Sequence, residues 1–171
     1  VGYKYDNVIT MNYNATQSEH SVMMDEIRKL PCVENAALSM NYPISGYWGN
    51  PVVDANKMEI LFSCRFEYFD ENYIDLMQME IIAGRNFNAQ DASNKTIVNE
   101  KFVHQYGWDL DSAIGKSFLQ NGSWNEVIGV VRDYMQVSGL VLPLSVYHTG
   151  HATKYADEEV ALRYNIRLTE L

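Results

Sequence analysis

The sequence predicts an α+β domain in which strands outnumber short helices. Two stretches, residues 58–67 and 160–169, alternate apolar and polar side chains with a period of two. An Asn-Gly pair at 121–122 joins two β-rich runs, which is a hairpin signal. Helix signals are confined to a few short stretches among long antiparallel segments.

Asn7-Val8-Ile9-Thr10-Met11 reads as the first strand. Thr16-Gln17-Ser18-Glu19 is a capping-box pattern, in which a hydroxyl and a carboxylate each satisfy an orphan backbone N–H, so a helix begins there. Met23, Ile27 and Leu30 fall at i, i+4 and i+7 and predict its apolar face; Pro31 ends it. Val33 to Met40 predicts a second strand, returning beside the first through the helix in a right-handed β-α-β unit if the two are parallel. Between Asn41 and Asn56, Pro43, Gly46, Gly49 and Pro51 surround Tyr47 and Trp48, predicting a long loop or short hairpin.

From 58 the period changes. Met58, Ile60, Phe62, Cys64 and Phe66 form the predicted buried face of a strand, with Glu59, Leu61, Ser63, Arg65 and Glu67 opposite. Phe69, Tyr73 and Leu76 recur at helical spacing, with Asp70 and Glu71 at the positive end of the helix dipole. Met79 to Ala83, ended by Gly84, and Lys95 to Val98 are strand candidates separated by the polar linker Asn88 to Asn94. Asn99-Glu100 caps a helix carrying Phe102, Val103 and Tyr106, with Gly107 placed for a left-handed C-terminal cap. Lys116 to Gln120 and Trp124 to Val131 form the hairpin around 121–123; Leu142 to His148 is a further strand. Val160, Leu162, Tyr164, Ile166 and Leu168 alternate against polar neighbours, and a strand this close to Leu171 predicts that the natural chain continues.

At 171 residues, 47% hydrophobic and 20% charged, the chain suits one globular domain, with room for two subdomains. Its net charge of −9 disfavours nucleic acid and anionic lipid as partners. No run of about 18 apolar residues is present. Cys32 and Cys64 are the only cysteines; two reduced, half-buried thiols and a single bridge between them both fit.

Signatures of chemistry are sparse. No glycine-rich phosphate cradle occurs: Gly129 inside a strand predicts a bulge or close backbone approach, while Gly84 and Gly115 predict turns. His20, His104, His148 and His151 are read as solvated rather than as a metal set, and no cofactor is expected. The 22 carboxylates show no pair spaced for acid–base work, and no nucleophile elbow is present. Arg85, between Gly84 and Phe87 and ahead of Asp91, predicts a structural ion pair or carbonyl clamp rather than an anion site. Tyr42, Tyr47 and Trp48 either contact a partner from an exposed loop or fold back over the core.

Several phrases, in order, resemble the periplasmic core domain of MacB/FtsX-type ABC transporter permeases. Gly2-Tyr3 with Asp6-Asn7-Val8-Ile9 resembles the segment leaving a first membrane helix, and Leu30-Pro31-Cys32-Val33-Glu34 resembles the family's "LPGV-E" step, with Cys32 where glycine is usual. Phe66-Glu67-Tyr68-Phe69 and Gly84-Arg85-Asn86-Phe87 resemble its "Y-F … G-R-x-F" pairing, and Ile97 to Phe102, with Asn99 and Glu100, its "V-V-N-E-x-F". Ile114-Gly115-Lys116 and Val127 to Asp133, with Gly129, resemble "I-G-K" and "V-I-G-V-V-x-D". The resemblance implies a porter-like, β-α-β-containing subdomain formed by the chain ends (1–57 and 142–171, the second part truncated) and an inserted strand-rich subdomain at 58–141. It implies a parent with membrane helices on both sides, a cytoplasmic ATPase subunit, homodimeric or pseudo-dimeric assembly, and a periplasmic adaptor or cargo protein. It also implies that such domains continue past this terminus with another helix and strand. The expected role is transmission of ATP-driven movement, without enzymatic activity. An extracytoplasmic sensor or ligand- or peptide-binding module, contacting through Tyr42, Tyr47 and Trp48, is the competing expectation, and an envelope hydrolase a third.

Overall fold

The computed structural model describes residues 6–40, 49–134, 141–148 and 158–169. Its strands are β1 (Val8–Ala15), β2 (Val33–Ser39), β3 (Gly49–Asp54), β4 (Glu59–Phe69), β5 (Ile81–Gly84), β6 (Lys95–Asn99), β7 (Ser117–Gln120), β8 (Ser123–Val131), β9 (Leu144–His148) and β10 (Val160–Leu168). The helices are α1 (Gln17–Arg28), α2 (Tyr73–Leu76), α3 (Glu100–Tyr106) and α4 (Leu110–Ala113).

The strands form two connected bodies. In the first, β10 lies between β1 and β2 and is antiparallel to both, from Val8↔Arg167 to Ala15↔Val160 on one side and from Leu168↔Val33 to Arg163↔Ser39 on the other. The expected adjacency of the first two strands is therefore corrected: they are parallel but not neighbours, because a strand from the far end of the chain fills the gap. The capping box at Thr16 and Glu19 forms as predicted and starts α1. The helix lays Met24 on Ala36, Leu38, Leu162 and Tyr164.

The predicted apolar face of α1 needs correction as well. Met23 and Leu30 are exposed, Ile27 is half-buried, and the buried pair is His20 and Met24. Periodicity located a stripe, but the angle at which the helix meets the sheet selected the row beside it.

The second body is a closed ring. β4 pairs β3, β3 pairs β7, β7 pairs β8, β8 pairs β6, β6 pairs β9, and β9 returns to β4 in a parallel ladder from Arg65↔Leu144 to Phe69↔His148. Closing a sheet removes its hydrogen-bonding edges. β5 adds to β8 beyond the end of β7. Val52, Phe62, Cys64, Val98, Phe118 and Val127 pack together with Phe102 and Val103 of α3, which closes one end of the barrel.

Ring closure explains a second correction. Met58 and Ile60 are exposed, whereas Arg65 and Glu67, assigned to the solvent face, are both buried. An alternation rule assumes that the opposite face is wet, whereas on β4 beyond Cys64 Arg65, Glu67 and Phe69 are buried and Phe66 and Tyr68 half-buried. The same holds for Asn165 and Arg167 on β10, both buried. The segment 41–56, predicted as a long loop or short hairpin, contains β3, which pairs only with β4 and β7 among the described residues. Pro51 obscured it; β7 meets β3 only at Val52 and Val53, so the proline lies where β3 has no second neighbour. The 121–122 hairpin forms with φ of 54° and 72°, as a type I′ turn requires, and Gly107 caps α3 at φ 81°.

Both cysteines are free. Cys32 is exposed, while Cys64 is fully buried and burial pushes its thiol up to about 12. One thiol per native chain should therefore react promptly with Ellman's reagent at pH 8, and a second only after denaturation. Two prompt thiols, or none before reduction, would contradict this arrangement.

Candidate functional site: the junction between sheet and barrel

Among the described residues, strand pairing joins the two bodies at one place. Ser39 of β2 pairs Phe69 of β4, flanked by Met40 N–H to Tyr68 O (3.0 Å) and Asp70 N–H to Leu38 O (3.0 Å). Asp70 organises the surroundings. Its carboxylate accepts from Leu38 N–H (2.9 Å) and Asn72 N–H (3.1 Å) and lies 3.5 Å from the Arg28 guanidinium of α1. On the opposite side, buried Arg167 of β10 donates to Leu76 O at 3.1 and 2.7 Å, placing a cation at the C-terminal end of α2. A shared core runs beneath: Ala37 from the sheet packs in one cluster with Phe69, Tyr73, Leu76, Ile97 and Val146.

Asp70 is 6% exposed, and burial outweighs its hydrogen bonds and Arg28, raising its pKa to about 6. The unfolded value is 3.8, so the folded chain binds this proton more tightly. Stability from this group is thus full below about pH 4 and falls by on the order of 3 kcal/mol as pH rises through 6. The stability difference between wild type and Asp70→Asn, measured by urea unfolding from pH 4.5 to 7.5, should shrink as pH rises. A difference that stays flat or grows would contradict the assignment. Asp91, held down to about 2 mainly by its Arg85 hydrogen bond, loses its contribution only below that window.

A cleft of about 270 Å3 opens beside the junction, between Arg28 and Met24 of α1 and Asp70, Glu71 and His148. His148 Nε2 lies 2.7 Å from Glu71. His20 uses both ring nitrogens, Nδ1 with the Tyr164 hydroxyl (2.6 Å) and Nε2 with Val160 O (2.8 Å). The Nε2 contact is to a carbonyl, so Nε2 carries a proton. Reading His20 and His148 as solvated is thus corrected: both are buried, because the strand from the far end of the chain and the barrel cover them. Among the described residues, no three His, Cys, Asp or Glu side chains converge as a metal set. The groups lining the cleft are tied into structural pairs, and the arrangement suits a joint better than a reaction centre.

The residues singled out in sequence meet on the barrel side of this joint. Gly84 pairs Gly129 across β5 and β8, Arg85 N–H donates to Ile128 O, and Phe87 is buried beside His148. Arg85 grips Asp91 through two bonds of 2.8 and 2.6 Å. Asn99 caps α3 by accepting from Phe102 N–H; the same oxygen accepts from Leu144 N–H, and its amide donates to Leu142 O, fixing the entry of β9. Glu100 accepts from Asp133 N–H while Asp133 accepts from Lys101 N–H, a reciprocal clasp between α3 and the end of β8. Gly115 turns the chain at φ 83° and donates to Val127 O. Tyr42, Tyr47 and Trp48 lie outside the described residues.

The family model for the MacB-like periplasmic core domain matches residues 3–169. The chain belongs to this family. It is therefore an extracytoplasmic domain of an ABC-type transporter permease, a family that is not an enzyme class. No curated protein matches it in sequence. In fold it is similar to the extracellular domain of the noncanonic ABC-type transporter YknZ from Gram-positive bacteria (TM-score 0.61, 15% identity, covering 96% of this chain and 84% of that one). It is also similar to a domain of a putative permease from Porphyromonas gingivalis (0.65, 15%, 98% and 77%). A third likeness is to the periplasmic region of MacB from Actinobacillus actinomycetemcomitans (0.63, 16%, 96% and 75%). No helix among the described residues is long and apolar enough to cross a membrane.

For a MacB-like domain, one further surface feature was invisible in the sequence. Ile9, Met11 and Tyr13 project from β1, the outer strand of the sheet, and lie exposed on the side of α1, where Val22 and Met23 are also exposed. The alternation of β1 is regular, but only the register against β10 shows that α1 leaves this part of the face uncovered.

Proposed function

We propose that this domain carries ATP-driven movement of its permease's membrane helices to cargo or to a partner protein outside the membrane, without bond chemistry of its own. The observation that supports this most is the core shared by sheet and barrel, with Ala37 and Phe69 in one cluster. A packed interior passes displacement on, since it shifts between discrete arrangements instead of deforming smoothly. In this reading the membrane helices flank the domain in the same polypeptide, a cytoplasmic ATPase subunit supplies the motion, and permeases act as a homodimer or pseudo-dimer with a periplasmic adaptor or cargo. The porter-like part is β1, α1, β2 and β10. The barrel is the inserted part; β3 and β9, which the sequence grouped with the chain ends, are counted with it in this reading, since among the described residues they pair with barrel strands. The apolar strip on β1 and α1 suits contact with the rest of the assembly.

The test replaces residues 6–169 by a flexible linker in the full-length permease, reconstituted with its ATPase. ATP hydrolysis should persist while ATP-dependent work on cargo or partner is lost. Retention of that work without the domain would sink the proposal.

A further inference from the structure

A groove lies at the end of the barrel opposite α3. The C-terminal ends of β4 and β9, the start of β6 and the β7–β8 turn surround its volume of about 490 Å3. Among the described residues, its walls are neutral. Tyr68, Tyr147 and Trp124 supply aromatic faces, and Asn94, Asn121 and Asn125 supply amides, with Gln120 at the base and two serines at the rim. Among the described residues, no carboxylate, ammonium, guanidinium or imidazole lines it, in a chain where one residue in five is charged.

The groove is built rather than incidental. Gln120 is fully buried; its carbonyl accepts from the Ser145 and Tyr147 hydroxyls (both 2.8 Å), and its amide donates to Asn50 O. This network holds the Tyr147 ring beside that of Tyr68, with centroids 5.6 Å apart. Asn125 is also buried and donates to Ser123 O. In contrast, Trp124 is 55% exposed, and neither its indole N–H nor the Tyr68 hydroxyl has a partner among the described residues.

We infer that this barrel mouth is a binding site for a neutral oligosaccharide, stacked on Trp124 and Tyr68 and hydrogen-bonded by the amides of Asn94, Asn121 and Asn125. A sugar ring offers what this lining fits: an apolar C–H face for an aromatic plate, and adjacent hydroxyls that both donate and accept, as side-chain amides do. Anionic ligands find no cation among the described lining residues, and an apolar ligand would strand the amides without partners. The volume is within the range of small-ligand sites, which favour barrel mouths.

The test titrates the purified chain with maltotetraose, cellotetraose and chitotetraose, and with tetraalanine as the peptide control, by calorimetry and ¹H–¹⁵N correlation spectra. At least one tetrasaccharide should bind and shift the Trp124 indole and Asn94 side-chain amide signals. Trp124→Ala should weaken that binding roughly tenfold or more, and Asn94→Ala measurably. Both positions are exposed, so unchanged melting curves verify the fold. No binding by any of the three sugars, binding undiminished in Trp124→Ala, or tetraalanine alone occupying the groove would each overturn the inference.

Discussion

Arg65→Met lowers the unfolding free energy by about 3–5 kcal/mol, the largest loss expected from any single substitution in this domain. Arg65 and Glu67 sit two residues apart on β4, on the same face, each 3% exposed at the side chain, with Arg65 Nε donating to Glu67 Oε1 at 2.6 Å. Taking two charges out of water is costly, and mutual attraction repays that cost only while both are present. Methionine removes the cation and leaves the buried Glu67 carboxylate without this ion pair. Arg65→Met with Glu67→Leu removes both charges at similar volume and should recover most of the loss. Urea unfolding of the two single variants and the double variant measures the coupling. A single-site loss below about 1 kcal/mol would mean that water reaches the pair.

Gly84→Ala is the second severe substitution. Gly84 has φ of 70°, and a Cβ there would stand 2.2 Å from Ile128 O and 3.0 Å from the Gly129 Cα. Its partner is equally tight, since a Cβ on Gly129 would stand 2.3 Å from Arg85 O. Backbone atoms of a paired strand cannot rotate aside as a side chain can, so β5 must separate from β8. We expect a loss of about 3 kcal/mol, near 10 °C in Tm for a chain of this size. Gly107→Ala is the control: its φ is 81°, but nothing lies within 4 Å of the added carbon. Only backbone strain of about 1 kcal/mol should appear there. Equal losses at the two positions would show that close packing of Gly84 on Gly129 is not what the pair provides.

Local chemistry was legible in the sequence where it acts locally. Thr16 and Glu19 announced α1, Asn121-Gly122 the hairpin, and Asn99 with Gly107 both ends of α3, because each works through atoms a few residues apart. What stayed hidden is long-range. Nothing near Val160 shows that β10 enters between β1 and β2, and nothing near Leu144 shows that β9 closes the barrel on β4 in parallel. Burial of Arg65, Glu67, Asn165 and Arg167 follows from those two events, so alternation alone assigned them to solvent. The junction at Asp70 was hidden for the same reason: its role as a helix-start carboxylate was readable, its contacts with Leu38 and Arg28 were not. The groove draws Tyr68, Asn94, Trp124 and Tyr147 from four separate segments, and no spacing in the chain brings them together.

The proposed transmission requires sheet and barrel to move as one body when the ATPase drives the membrane helices. Spin labels at exposed Val22 on the sheet side and exposed Met58 on the barrel side, in the full-length permease with its ATPase subunit, measure this by pulsed dipolar spectroscopy. Between nucleotide-free and ATP-bound states, the Val22–Met58 distance within one domain should stay constant, while the Met58–Met58 distance between paired permeases changes. A change within the domain, or no change between domains, would contradict the account.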